Sequence, residues 1–269
     1  MVKTSGKIVW SALVGADWTD KLGWVINDAF LLAAAIGAGL LSYLAGLASL
    51  VSYPALIALG IPPVLANTSN TVGLLGGGLG STIAAWKDLK RITAYPMGWL
   101  SMLSTLGGAL GGLLVLVMDP SVFEAVAPWL VLTGALTVLF DPWFTKLSGG
   151  RPMKRTLFYG LLAVVTVYGG YFGAGVGVLF VAVCTLGGEF TTHEAVIVKT
   201  PLLALANLGA SVLFVIQGQV DWHVAIIIGV GSLIGGYAGP YVQKFFSEAM
   251  LRWLIAVGGI VMTVWLLVR

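Results

Sequence analysis

The chain has 269 residues, 58% of them hydrophobic and 9% charged, and its mean hydropathy is +0.99. Ordinary soluble domains carry about 25% charged residues, so this composition excludes one and points to a polytopic membrane protein. The formal charge of +3 comes from 14 basic and 11 acidic residues; the basic ones are scattered among connections and form no stripe of the kind that binds nucleic acid.

In residues 1–28, Lys3 and Lys7 precede IVWSALVGA, a signal-like pattern whose apolar run is at the short end of the usual range. Trp10, Trp18 and Trp24 beside Asp17, Asp20 and Lys21 fit an interfacial helix better. Eight segments then approach the roughly 20 apolar residues that cross a bilayer: 29–57, 64–86, 95–117, 125–141, 156–186, 194–217, 223–243 and 249–268. The fourth is short. The first and fifth are too long for straight helices, so kinks or half-helices are expected there. The predicted fold is all-α: about eight transmembrane helices in two related four-helix halves, 29–145 and 156–269, joined by a cytoplasmic linker, 146–155, with the first helix of each half broken.

Basic residues crowd the N-terminal tail (Lys3, Lys7, Lys21), the second connection (Lys87, Lys90, Arg91) and the fourth (Lys146, Arg151, Lys154, Arg155). Such residues favour the cytoplasmic side. With eight simple crossings, both termini are expected in the cytoplasm and the halves run parallel; Lys244 and Arg252 are the exception. Re-entrant first and fifth segments would change that conclusion. Cys184 stands alone, which excludes a disulfide or a thiolate metal cluster within one chain.

Two glycine-interrupted stretches, Gly37 to Thr71 and Gly169 to Thr200, occupy matching places in the halves. Gly46 aligns with Gly173, Asn70 with Lys199 and Thr71 with Thr200. Paired broken segments of this kind mark a transporter's binding site, because unwound backbone at membrane depth must be buried or line a cavity. In Gly173, Gly175 and Gly177 the spacing of two argues for an opened backbone rather than a packing face. Gly107, Gly108, Gly111, Gly112, Gly231, Gly235, Gly236 and Gly239 instead suit close helix packing.

Every Asp and Glu falls in a tail, connection or span end, which disfavours a cation carrier. Lys199 is the one basic residue inside a predicted span. It either snorkels to the headgroups or meets an anion in the permeation path. Asn67, Thr68, Ser69, Asn70 and Thr71 follow Pro62 and Pro63 at an expected helix start; they cap that helix or, with its N–H groups, hold an oxyanion. His193 and Glu194 gate or couple protons, or cap the next helix.

These residues resemble the TauE/SafE family of sulfite exporters. The resemblance rests on Gly46, Pro54, Gly60, Pro62, Pro63 and ANTSNT (Ala66 to Thr71) in the first half. In the second it rests on GGYFGAGVG (Gly169 to Gly177), AVIVKT (Ala195 to Thr200), GQVDW (Gly218 to Trp222) and GSLIGGYAGP. It covers about residues 30–268. One departure is GLASLVSYP, with Ala48, Ser49 and Leu50 where that family's first half shows glycines. The resemblance implies export of sulfite or a small organosulfonate such as sulfoacetate.

The expectation is therefore no enzyme and no cofactor or metal, but a secondary transporter of a bacterial inner membrane, exporting a small anion by alternating access between the halves. Its expected partners are the anion and the bilayer, with protons and a second copy of the chain as optional ones. The alternatives are a permease or channel for another small anion, and a non-transporting scaffold. The expected substrate residues are Gly46, Asn67 to Thr71, Gly173, Gly175, Gly177, Lys199 and Thr200, with His193 and Glu194 as gating or coupling residues.

Overall fold

The computed structural model describes residues 16–92, 96–147, 154–186, 190–242 and 248–268. Residues 1–15 of the expected tail and 148–153 of the expected linker lie outside them. The described residues form helices α1 (Ala16–Ala45), α2 (Ser49–Ala58), α3 (Pro63–Gly73), α4 (Leu75–Ala84), α5 (Trp86–Leu89), α6 (Met97–Val117), α7 (Pro120–Leu147), α8 (Arg155–Tyr171), α9 (Val176–Leu186), α10 (Thr192–Ile216), α11 (Trp222–Val242) and α12 (Glu248–Val268). No strand occurs among them.

Among the described residues, four stretches are long and apolar enough to cross a membrane: Val25–Ala45, Met97–Val117, His193–Ile216 and Trp222–Val242. Leu106, Leu110, Val212, Ile226 and Val230 remain exposed along them, as a lipid-facing surface requires. Trp86, Trp99, Trp222 and Trp253 are exposed near helix ends, where the amphipathic ring suits the headgroup layer.

The first and fifth expected spans are broken, into α1 and α2 and into α8 and α9. The second is also divided, at Leu74, amid a glycine-rich run that holds a helix weakly. The fourth is longer than expected: α7 runs from Pro120, with Asp119 accepting the Ser121 backbone N–H (2.8 Å) and hydroxyl (2.6 Å) at its start.

Small residues set the packing and fix helix directions. Along α1 and α11, Asp28 meets His223 (2.9 Å), Ala35 meets Gly231 and Tyr43 meets Gly239, so the two helices run parallel. The α3–α4 segment follows α11 in the same sense: the Ser69 hydroxyl accepts the Asp221 N–H (2.8 Å), Gly73 lies on Ile228 and Gly80 on Tyr237. A second parallel set joins α6 to α8 and α10, through Gly107 on Thr166, Gly108 on Ala206 and Gly112 on Ala210.

Two apolar clusters mark the ends of the bundle. One contains Leu31, Ile57, Ala66, Phe123, Phe214 and Val224, from the middle of α1 just past Asp28, the starts of α3, α7 and α11 and the ends of α2 and α10. The other contains Ala85, Leu100, Phe158, Cys184, Phe190 and Ala195, gathering the ends of α4 and α9 with the starts of α6, α8 and α10. Thus α1–α2 is a hairpin that returns to its own end, and α8–α9 is a hairpin that enters from the other.

This arrangement overturns the parallel reading. The start of α1 lies at one end, here the Asp28 end, and Lys90 at the opposite end, so the N-terminal tail and the second connection do not share a side. The error came from treating α1–α2 and α8–α9 as single crossings; glycine breaks turn each back. The N-terminal end of α1 and the C-terminal end of α12 do share a side, since Thr263 reaches the Pro128 carbonyl (3.4 Å) and Leu266 packs on the Asp28-end cluster.

Candidate solute site between two broken helices

At the first break the Gly46 N–H bonds the Ser42 carbonyl (2.9 Å) and the Leu47 N–H the Leu41 carbonyl (3.2 Å). The Gly46 bond is that of an αL cap, which needs a left-handed residue just after the helix, and Gly46 has φ 68°. At the second, the Phe172 and Gly173 N–H groups both bond the Tyr168 carbonyl (3.0 and 3.1 Å), with Gly173 at φ 75° and Gly175 at 73°. The Tyr168 hydroxyl donates to the Ala174 carbonyl (2.6 Å) and steadies the open segment.

The breaks touch. The Gly177 N–H donates to the Gly46 carbonyl (3.3 Å), and a Cβ on either glycine would overlap the other's backbone. Gly175 sits as closely on Gly134 of α7.

Beside this crossing lies a cavity of about 40 Å³. One water needs about 10–15 Å³ on this measure, so the space suits a few waters or a small ion. The first break supplies Ser42, Gly46, Ala48 and Ser49, the second Gly169, Gly173 and Val176, and the α3–α4 division Leu74 and Gly78. From α10 come Lys199, Leu203 and Asn207, one helical face, with Thr200 and Ala204 beside them. Gly78 admits Ala204 at close range. The wall therefore combines one cation, three hydroxyls, one amide and the starts of α2 and α9, whose N–H dipoles favour negative charge.

Lys199 is buried, 1% exposed. It lies in the cavity wall rather than reaching out to the helix end, about 9 Å along the axis from His193. Pro201 leaves α10 continuous but withholds the N–H that the Ile197 carbonyl would accept.

Asn67 to Thr71 lie differently from the expectation. Helix α3 begins at Pro63 with no side-chain cap, so these five residues fall a turn later, all buried. Asn67 Nδ2 donates to the Tyr171 carbonyl (2.9 Å), tying α3 to the end of α8. Asn70 Nδ2 reaches Ser49 Oγ (3.4 Å), one step behind the cavity wall. Thr68 and Thr71 bond carbonyls of their own helix (Leu65, 3.1 Å; Asn67, 2.8 Å), and Ser69 holds the start of α11.

Of the residues singled out from sequence, the cavity wall unites Gly46, Gly173, Lys199 and Thr200. Glu194 closes a capping box with Thr191: its carboxylate accepts the Thr191 N–H (2.9 Å) and hydroxyl (2.8 Å), and its own N–H bonds Thr191 Oγ1 (3.2 Å). His193 is exposed at the same end of α10. Ser42, Ser49 and Asn207 were missed. Asn207 could have been found by following the face of Lys199 two turns along the helix. Among the described residues no three His, Cys, Asp or Glu gather as metal ligands would.

A polar cavity at the meeting of two broken helices, inside a bundle with an apolar outer surface, is the build of a membrane transporter. The family model of the sulfite exporter TauE/SafE family matches residues 31–266, and the chain belongs to that family. It is 28% identical over 240 residues to a "Probable membrane transporter protein" of Haemophilus influenzae, covering 87% of this chain and 92% of that one. It is also similar to "Probable membrane transporter protein ORF9" of a Sinorhizobium species (28% over 244 residues, 89% and 92% covered). The "Probable membrane transporter protein YfcA" of Escherichia coli K12 is 29% identical over 241 residues, with 88% of each chain covered. No solved structure matches.

Proposed function

We propose that the protein is a secondary transporter that exports a small oxyanion, sulfite or a compact organosulfonate, by alternating access between two halves, residues 29–145 and 156–269, of inverted topology. The observation that carries this reading is Lys199 buried in a cavity between two crossing hairpin tips. Its ammonium is the cation of the cavity wall, and in a water-poor interior such a charge attracts an anion more strongly than it would in water. The hydroxyls of Ser42 and Ser49 and the Asn207 amide supply donors for the anion's oxygens, while the Thr200 hydroxyl donates to the Val196 carbonyl (3.4 Å).

The inverted relation is supported by interlocked packing. The first hairpin's α1 lies on α11 and the second hairpin's α8 on α6, while α4 lies on α11 and α10 on α6. Exchanging the halves preserves each pair. Alternating access fits this plan, since each hairpin enters from its own end. Tyr53, Phe123 and Phe172 pack edge to face with centroids 5.0 to 6.0 Å apart on the Asp28 side and form the closed side of the path. Outward movement of an anion from a negative interior gains about 2.3 kcal/mol per charge at 100 mV, so the potential alone can drive export.

The test is counterflow in proteoliposomes loaded with sulfite, sulfoacetate, taurine or sulfate. Accelerated exchange of sulfite or a sulfonate that saturates, and that a Lys199→Met variant shifts to at least about tenfold higher anion concentration, supports the reading. Exchange of none of the four, with folded protein in the bilayer, overturns it.

A further inference from the structure

Among the described side chains, the two ends of the bundle carry opposite charge. At the Asp28 end the described side chains include the carboxylates of Asp28, Asp119, Glu124 and Asp221, and no lysine or arginine. At the opposite end, around the α4–α6 connection and the start of α8, stand Lys87, Lys90, Arg91, Lys154 and Arg155, all exposed, against Asp88 and Glu194. These two described carboxylates are engaged: Asp88 pairs with Arg91 (3.6 Å) and Glu194 closes its capping box. The end of α11 at Val242 and the start of α12 at Glu248 lie at the same end, with Arg252 in the second turn of α12.

The Lys90 end is also built as a headgroup contact. Lys90 Nζ lies 5.1 Å from the centroid of the exposed Trp86 ring. That pairing puts an aromatic body at the apolar boundary and an ammonium beyond it, the usual anchor at a bilayer surface. An anionic leaflet attracts such a basic surface and repels a carboxylate one.

We propose that the Lys90 end is the cytoplasmic surface, seated on the anionic headgroups of the inner leaflet, and that the N-terminal end of α1 and the C-terminal end of α12 face away from the cytoplasm. This keeps the Lys87, Lys90 and Arg91 connection in the cytoplasm, where the sequence suggested it, and moves both termini to the other side. Once the hairpins are recognised, Arg252 near the start of α12 ceases to be an exception, and Lys21 near the start of α1 becomes one. The orientation also gives the site a direction: Lys199 sits on the helix that starts from the basic end, about 10 Å from its first residue. An anion leaving the cytoplasm would meet the basic rim first and the buried lysine next.

The test is site-directed labelling of the full chain in a Cys184→Ala background, with single cysteines introduced as Lys90→Cys and Gln219→Cys. Gln219 is exposed in the α10–α11 connection at the Asp28 end. A membrane-impermeant maleimide is applied to spheroplasts and to inverted inner-membrane vesicles. Gln219→Cys should react at least about tenfold faster from outside and Lys90→Cys at least about tenfold faster in the inverted vesicles. Alkaline phosphatase fused after α12 should be active. The opposite pattern, or equal reaction of each site from both sides, overturns the proposal. The labelling does not depend on transport, so failure of the exporter reading would leave it unchanged.

Discussion

Gly177 of the second hairpin donates its backbone N–H to the carbonyl of Gly46 at the tip of the first, 3.3 Å away, with no room for a side chain on either residue. The crossing that frames the cavity is therefore a contact of bare backbones. A Gly46→Ala variant must hold alanine in left-handed geometry, costing about 1–2 kcal/mol, and must also separate the tips. Gly177→Leu should be worse, above about 4 kcal/mol. Thermal unfolding in detergent should show both losses in that order, whereas Gly160→Ala, with nothing near its added methyl, should stay close to the parent.

Lys199→Met removes the cavity's cation while keeping its length. A charge-assisted hydrogen bond is worth about 1.5–3 kcal/mol, so anion affinity should fall roughly 10- to 150-fold. Arginine should restore only part of it, because its planar fork differs from the compact ammonium. Equilibrium binding by calorimetry on purified protein checks both.

Asn67→Leu should act through position rather than charge. The Tyr171 carbonyl would lose its donor, with a cost of about 1–3 kcal/mol for a buried orphan. The second break should loosen, and hydrogen exchange of residues 172–177 should accelerate while the ends of α8 and α9 stay protected.

Glu194→Ala separates capping from proton coupling. Loss of the capping box should cost about 0.5–2 kcal/mol of stability and leave the pH profile of transport unchanged in shape. A flattened profile in Glu194→Ala or His193→Ala would assign the coupling role instead.

Asp119 gives a pH-dependent case. Hydrogen bonds from the Ser121 side chain and backbone hold its carboxyl below the ordinary carboxylate range. A depressed folded value means that the contribution is present above the unfolded pKa and is lost as pH falls through the folded one. Melting temperatures of the parent and Asp119→Ala should therefore differ at neutral pH and converge in acid.

Much of the site was legible in the sequence because it departs from its surroundings. Gly46 and Gly173 interrupt apolar runs at matching places, and Lys199 is a charge among aliphatics. The directions of α2 and α9 were not legible, since an apolar decamer reads the same whichever way it crosses. That one ambiguity misassigned the loops. Asn67 to Thr71 read as caps because five small polar side chains in a row are typical of a helix start; the helix begins at Pro63, within one residue of the expected 64, so all five lie inside it and are buried. Ser42 and Ser49 gave no signal of their own, as isolated hydroxyls are ordinary in membrane helices.

The packing of α1 on α11 has a consequence for biosynthesis. Asp28 and His223 are 195 positions apart, and Ser69 and Asp221 are 152 apart. The first hairpin is thus synthesised long before the helix that buries its glycine-lined face, and it must wait in the bilayer unpaired. Neither half completes its own core, so a fragment ending in the central linker should be cleared by proteolysis unless the other half is made beside it.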